Sequence, residues 1–293
     1  MKNRRLRSVF KQRAATIKQH LRKNYMVDKG VYFVHISDTH IGPSRDYRRH
    51  SHYPLPCAEQ LVEIINNLPH RPDFVIHTGD IVTDPDAAAY SLAAKTFERL
   101  KAPIYYVNGN HDTAADIRHF LPMGPHKSAG EDPGRLSYVF EVSEYRFLVL
   151  DARGPDEIDP HGLLPDSQIK LAGDEAGGGD QPLTVFIHYP TLPMNSPWMD
   201  QNMLILNGDE LHNALMPAAH RLRGVFYGHI HQHMQTAVDG ITYVSVASAF
   251  SQFGAWPDDL ITHFDNDHDP GYGFIHLLKD KTIIHQHTFP RPG

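Results

Sequence analysis

The sequence predicts an α/β fold, and three observations predict it. Short runs of β-branched and aromatic residues recur: VYFVHIS at 31–37, DFVIHTG at 73–79 and PIYYVNG at 103–109. Helical apolar patterns separate them, near 57–68 and 86–100. Apolar strands alternating with helices build βαβ units and a mostly parallel sheet. Each apolar run also passes straight into a polar cluster, as happens where a ligand site lies beyond the carboxyl ends of the strands.

Before that pattern lies a basic leader. Residues 1–30 hold ten of the chain's 28 Lys and Arg but only one of its 34 acids, Asp28. Leu6, Phe10, Ala14, Ile17 and Leu21 recur at the three- and four-residue spacing of one helix face. The leader therefore reads as a basic amphipathic helix, with residues 31–293 as a separate domain. Its charged start is not followed by an apolar core segment, so it does not read as a secretory signal. It could contact an anionic surface, either a membrane or nucleic acid, or pack on its own acidic domain.

After the three strand–helix units comes a hairpin-like pair, RLSYVFEV (135–142) and YRFLVLD (145–151), joined at Ser143-Glu144. A helix is expected from Asp166, then a break at Gly177-Gly178-Gly179, then the strand LTVFIH (183–188). A stretch rich in Pro, Met and Asn leads to a helix near 208–216. The end is strand-rich, at 223–227, 233–238, 241–247, 272–278 and 281–288. No apolar run approaches the roughly 20 residues that span a membrane. The single cysteine, Cys57, excludes an internal disulfide framework and a thiolate-rich zinc site. It reads as a small buried residue and fits a reducing, cytoplasmic setting.

The anomaly is 22 histidines among 293 residues, because histidine is the commonest metal ligand and a frequent acid–base group. Several stand at predicted strand ends. ISDTH gives Asp38 and His40, HTGD gives Asp80, and VNGNHD gives Asn110, His111 and Asp112. FIHYP gives His188, and YGHIH gives His229 and His231. One Asp-x-His alone means little, since turns use these residues constantly. Five clusters in order, each after an apolar strand, converge on one site.

This set resembles the calcineurin-like metallophosphoesterase superfamily, over about residues 31–290. Within it, HISDTHIG, TGDIVTD and the segment from Ser196-Pro-Trp198-Met-Asp200 to Leu206-Asn207 look most like the class III cyclic nucleotide phosphodiesterases. The resemblance implies a four-layer α/β/β/α sandwich of two mixed sheets, with two transition-metal ions (Mn, Fe or Zn) on the strand-end loops. Carboxylate, imidazole and amide ligands suit such ions. By similarity Asp38, His40 and His231 hold the first metal, Asn110, His188 and His229 the second, and Asp80 bridges them. His111 faces the phosphate, and Asp112 orients it. The other 17 histidines, His233, His35 and His77 among them, read as structural. Gly228 is expected to permit a tight turn.

The activity implied is hydrolysis of a phosphodiester by a metal-bridging hydroxide, foremost a 3′,5′-cyclic nucleotide such as cAMP giving the 5′-monophosphate. Met194, Trp198, Met199 and Asn207 are a candidate wall for base and sugar. Alternatives on the same metals are another small phosphodiester or phosphomonoester, such as a glycerophosphodiester, and a nuclease that uses the leader. A non-catalytic scaffold is disfavoured because all seven ligands are present. Some family members are dimers, so a homodimer is a further expectation. Two departures matter. His188 is followed by Tyr189 where many relatives carry a second histidine. The stretch Gly79-Asp80-Ile81-Val82-Thr83-Asp84-Pro85 lacks the arginine of the protein phosphatase pattern Gly-Asp-x-Val-Asp-Arg-Gly, which disfavours a phosphoprotein substrate.

Overall fold

Aromatic residues on alternate strand positions build the centre of this protein. The computed structural model describes Arg13, residues 29–254, 256–265 and 267–292; apart from Arg13, Lys29 and Gly30, the predicted leader helix lies outside the described residues. A first sheet has the order β14-β13-β1-β2-β3, formed by Thr282–Thr288, Gly271–Leu277, Val31–Ile36, Phe74–His77 and Ile104–Tyr106. Here β1, β2 and β3 run parallel, and β13 and β14 add antiparallel strands beside β1. A second sheet has the order β4-β5-β6-β7-β8-β10-β9, formed by Lys127–Ser128, Tyr138–Val142, Tyr145–Val149, Leu183–Phe186, Leu222–Tyr227, Ile241–Ser245 and Gln235–Val238. Its inner run β6, β7, β8 and β10 is parallel. The strand–helix alternation alone would give one mostly parallel sheet; the chain makes two mixed ones.

The sheets face each other through phenylalanine. Phe33 and Phe74 of the first sheet meet Phe226, Phe186 and Phe147 of the second edge to face, with Phe33–Phe226 ring centres 5.2 Å apart and Phe74–Phe147 4.9 Å. Each such ring contributes about 1.5–3 kcal/mol by leaving water. Helices α1 (Pro54–Asn66), α2 (Ala87–Phe97) and α3 (Ala114–Phe120) bring Leu61, Ala93 and Ile117 to the same core. On the second sheet's other face, Leu148, Val185 and Val225 pack with Ala172 of α4 (Asp166–Gly177) and with Leu211 and Leu215 of α6 (Gly208–Leu215). Helix α5 (Pro197–Asn202), two short 3-10 helices (Asp156–Ile158 and Met216–Ala218) and the two-stranded pair β11 (Gln252–Gly254) and β12 (His263–Asp265) complete the described elements.

Helix starts follow local chemistry. Asp86 accepts hydrogen bonds from Ala88 N and Ala89 N at the start of α2, and Thr113 accepts from Asp116 N at the start of α3. Pro54 opens α1, where a missing N–H costs nothing. α3, α5, β4, β11 and β12 escape the sequence reading; each spans seven residues or fewer. Predicted strands 73–79 and 103–109 stop earlier, at His77 and Tyr106. Beyond those ends the chain continues into the loops of the site.

Candidate metal centre

All the parallel strands that carry motifs end at the same place. Past β1 and β2 the chains stay stitched: Asp38 N donates to Gly79 O (3.0 Å) and His40 N to Asp80 O (3.0 Å). Past β7 and β8, Gly228 N donates to His188 O (2.9 Å). Ser248 ties the sheets together, with its hydroxyl on Asp38 O (2.8 Å). Asp38, His40, Asp80, His188, His229 and His231 are all buried, while Asn110 and His111 are partly exposed at the rim.

Five of these residues carry positive φ: Asp38 (54°), His40 (43°), Asp80 (56°), His229 (68°) and His231 (50°). A non-glycine residue in the left-handed region costs about 1–3 kcal/mol. Such strain persists only where surrounding structure imposes it, and here it concentrates on one cluster. Gly228 has another role than the one expected, since the left-handed turn falls on the histidines themselves. A Cβ at Gly228 would stand 1.9 Å from Ser37 Oγ and 2.8 Å from Asp38 Oδ2; glycine is needed for close approach. Likewise a Cβ at Gly109 would lie 2.2 Å from Asp80 Oδ1.

The polar atoms form two adjoining groups. In one, His231 Nε2 lies 3.3 Å from Asp38 Oδ1 and 3.2 Å from His40 Nε2. In the other, His188 Nε2 lies 3.2 Å from Asn110 Oδ1 and 3.1 Å from His229 Nδ1. Asp80 belongs to both: Oδ2 is 3.6 Å from His40 Nε2, and Oδ1 is 3.4 Å from His188 Nε2. Each group can hold a cation, and mixed N and O donors suit Mn, Fe or Zn.

The back of the cluster fixes ring orientation. His188 Nδ1 meets Thr78 O at 2.6 Å and His231 Nδ1 meets Ser251 O at 2.8 Å. A carbonyl only accepts, so Nδ1 carries a proton and Nε2 is the atom turned inward, the arrangement typical of ligating histidines. Burial would push His188 down, but the Asp80 carboxylate raises it to about 9. Burial would raise Asp80 itself, but His188 and His111 hold it well below the usual carboxylate range. His40 and His229 are driven down by burial, His229 to about 3, so both offer neutral nitrogens.

Two expectations change. Asp112 does not touch the His111 ring. Its carboxylate accepts from Ile81 N (3.1 Å), Val82 N (3.3 Å) and Gly109 N (3.2 Å), so it positions the two motif loops. Burial, then Asp80, raises its pKa to about 6. His111 is oriented by Thr83, whose carbonyl lies 2.7 Å from Nδ1. Asp112→Ala is expected to lower the melting temperature in calorimetry, since each amide left without an acceptor costs about 1–3 kcal/mol; an unchanged melt would remove this role. Asn207 spends both ends of its amide on Leu164, accepting from N (3.1 Å) and donating to O (2.9 Å). It clamps backbone with its carbonyl oxygen and one N–H.

A cavity of about 440 Å³ opens beside His231, lined by Met194, Gln252, Phe253, Trp256 and His268. Phe253 stacks on His231 at 4.5 Å. Of the predicted wall, Met194 lines it and Trp198 meets Phe253 edge to face at 6.4 Å, whereas Met199 is fully buried. Gln252, Phe253 and Trp256 belong to no motif, and sequence reading missed them. His233 faces this cavity and not the two groups, with Nδ1 3.4 Å from Ala247 N. His35 and His77 are buried, each Nε2 on a threonine hydroxyl at 2.9 Å. Tyr189, where a second histidine was the alternative, packs its ring on His188 (4.9 Å) and His229 (4.8 Å).

The family model described as calcineurin-like phosphoesterase matches residues 31–233. The chain is 29% identical over 257 residues to a glycerophosphodiester phosphodiesterase, GpdQ, of Enterobacter lignolyticus, covering 87% of this chain and 90% of the relative. It is 28% identical to the 3′,5′-cyclic adenosine monophosphate phosphodiesterase CpdA of Pseudomonas aeruginosa, covering 86% and 88%. Among solved structures, a dimetal phosphatase from Danio rerio superposes with a TM-score of 0.65 at 14% identity, covering 89% of this chain and 97% of that one. GAP50, the anchor in the inner membrane complex of Plasmodium, superposes at 0.53 with 13% identity, covering 91% and 90%. These last two speak for the fold alone.

Proposed function

This chain belongs to the calcineurin-like phosphoesterase family, and from that premise we propose that it hydrolyses a 3′,5′-cyclic nucleotide such as cAMP to the 5′-monophosphate. The observation that carries the substrate class is the aromatic cavity next to the metal-binding groups. A concave, largely apolar pocket with a few polar groups is what a base and sugar require.

In this reading Asp38, His40 and His231 would hold one cation, Asn110, His188 and His229 would hold the other, and Asp80 would serve both. Two such cations would supply charge neutralisation at the phosphoryl oxygens and would lower the pKa of water. The protein does the rest. Thr78 and Ser251 carbonyls keep ligand lone pairs inward. Thr83 O turns His111 so that Nε2 faces the rim, where it meets the phosphoryl oxygens and the leaving 3′-oxygen. Water adds hydroxyl to phosphorus while the P–O3′ bond breaks and O3′ takes a proton. A glycerophosphodiester is the second reading, favoured by the long alignment with the Enterobacter relative.

Purified protein is expected to contain two transition-metal ions per chain, and chelation is expected to abolish turnover that Mn²⁺ restores. Full activity in a metal-free preparation would sink the mechanism. A panel of cAMP, cGMP, 2′,3′-cyclic nucleotides, glycerophosphodiesters and p-nitrophenyl esters separates the two readings by their kcat/KM. Removing residues 1–30 is expected to leave turnover of a small soluble substrate within a few-fold, because every proposed ligand lies beyond Val31. A complete loss in a folded protein would mean that the leader shapes the site; loss confined to oligonucleotide cleavage would favour a nuclease. No described helix is long and apolar enough to cross a membrane. A cytoplasmic setting, a homodimer and contact of the leader with an anionic surface belong to the same proposal.

A further inference from the structure

We propose that Arg49 contacts the substrate's phosphoryl oxygens through its guanidinium, completing an anion subsite that none of the strand-end motifs encodes. The inference rests on the phosphoester reading above. Arg49 lies in the connection between β1 and α1, in a tight turn closed by reciprocal bonds, Arg49 N to His52 O (3.0 Å) and His52 N to Arg49 O (2.9 Å). The two central residues, His50 and Ser51, have φ of 48° and 68°. A turn of that kind ordinarily takes Asn-Gly. Two side-chain-bearing residues held in the left-handed region mark a segment whose geometry is imposed, and such strain clusters at ligand clamps.

The turn delivers the guanidinium to the rim of the site. Nη1 donates to Thr83 Oγ1 at 2.6 Å, and Nη2 lies 3.4 Å from His111 Nε2. Nε is buried with no hydrogen-bond partner. Arg45, Arg99, Arg135 and Arg146 each meet a carboxylate, whereas Arg49 makes no such pair among the described residues. Nη1 and Nη2 each carry a second N–H beyond these contacts, so a part-buried cation keeps donors to offer beside the ring nitrogen that faces the substrate. A planar guanidinium matches phosphate with two parallel donors.

The placement also answers a gap in the sequence. In the protein phosphatase pattern the arginine follows the bridging Asp by four residues; here that position is Asp84, which is exposed. Thr83, one residue before it, instead anchors Arg49 by its hydroxyl and His111 by its carbonyl. One residue thus sets both groups on the same side of the cluster. Charge on the phosphoryl oxygens grows as the attacking oxygen adds to phosphorus, so the contact acts more on kcat than on KM.

The test uses the full chain loaded with Mn²⁺, in parent, Arg49→Lys and Arg49→Gln forms. Metal content, inorganic phosphate binding by titration calorimetry, and kcat and KM on bis-p-nitrophenyl phosphate are measured. Arg49→Gln is expected to keep two metals, to weaken phosphate binding about tenfold or more, and to lower kcat about 10²-fold with KM little changed. Arg49→Lys is expected to fall between, keeping charge without the fork. Phosphate affinity within twofold of the parent in Arg49→Gln would overturn the proposal. So would loss of metal in step with loss of affinity, which marks a merely structural arginine. If Arg49→Gln does not fold, Arg49→Lys is judged by the same criteria. If the parent turns over no diester, the function reading falls, and the phosphate titration still judges Arg49.

Discussion

Replacing Asp80 with alanine is expected to take metal content from two ions toward one or fewer per chain, and turnover down by about 10³-fold or more. The argument is geometric. Asp80 offers Oδ2 toward His40 and Oδ1 toward His188, and it belongs to two of the three groups of candidate ligand atoms, the one with His40 and His111 and the one with His188 and His229. Removing it leaves one group with Asp38, His40 and His231, and the other with neutral amide and imidazole donors alone. A cation's charge stabilisation is worth several kcal/mol of transition-state energy, and each 1.36 kcal/mol is tenfold in rate. Asp80 Oδ1 also accepts from His111 N at 3.0 Å, so alanine orphans an amide as well. Asp80→Asn separates the two effects. It keeps an acceptor for His111 N and loses the charge, so it is expected to melt near the parent while still losing metal. Elemental analysis alongside a thermal melt reads both, and an alanine variant that retains two metals and full turnover would end the bridging assignment.

The strand-end residues are legible because residues able to ligate a metal are few chemical types, placed here directly after apolar runs. Asp38, His40, Asp80, Asn110, His188, His229 and His231 come together from five segments, as the β-strand pattern requires. What escaped was carried by the backbone or by irregular loops. The carbonyls of Thr78, Thr83 and Ser251 orient three rings, and a carbonyl leaves no mark in residue identity. Asp112 was expected to serve its neighbour His111, since adjacency in sequence suggests contact. In space its carboxylate finds the amides of Ile81 and Val82, thirty residues back, because α3 starts just beyond it. Gly228 shows the same limit: glycine signals either freedom of φ or closeness of approach, and only the position of Ser37 Oγ decides between them. Asn207 sat in a polar, Met-rich stretch that suggested a ligand wall. The cavity beside His231 is lined by Met194 of that stretch, but also by Gln252, Phe253 and Trp256, in a segment without period or motif. The fold followed the same division. Long apolar strands were placed within a few residues, while their partition into two sheets depends on which phenylalanines face which, a pairing set by tertiary packing.

Replacing His111 with alanine is expected to leave two metals in place and to slow turnover by roughly 10²–10⁴-fold, the range of a positioned acid–base group. Metal content survives because the ring is tied to Thr83 O through Nδ1, and its Nε2 lies at the rim beside Arg49. Only its backbone N–H touches Asp80, and alanine keeps that bond. The leaving group then tells what the ring does. With Nδ1 donating to a carbonyl, Nε2 carries a proton only in the imidazolium form, and only that form can protonate a leaving oxygen. If it does so, the loss shrinks for p-nitrophenolate, which departs without help, and stays large for an alkoxide. If the ring only stabilises charge on the phosphoryl oxygens, the loss is similar for both leaving groups. Kinetics of His111→Ala on a p-nitrophenyl diester and on cAMP, with metal content measured on the same samples, distinguish the two outcomes. A variant that sheds a metal would contradict both, because it would make His111 a ligand, in keeping with its Nε2 or Nδ1 standing within 4.8 Å of His40 and Asp80 ligand atoms.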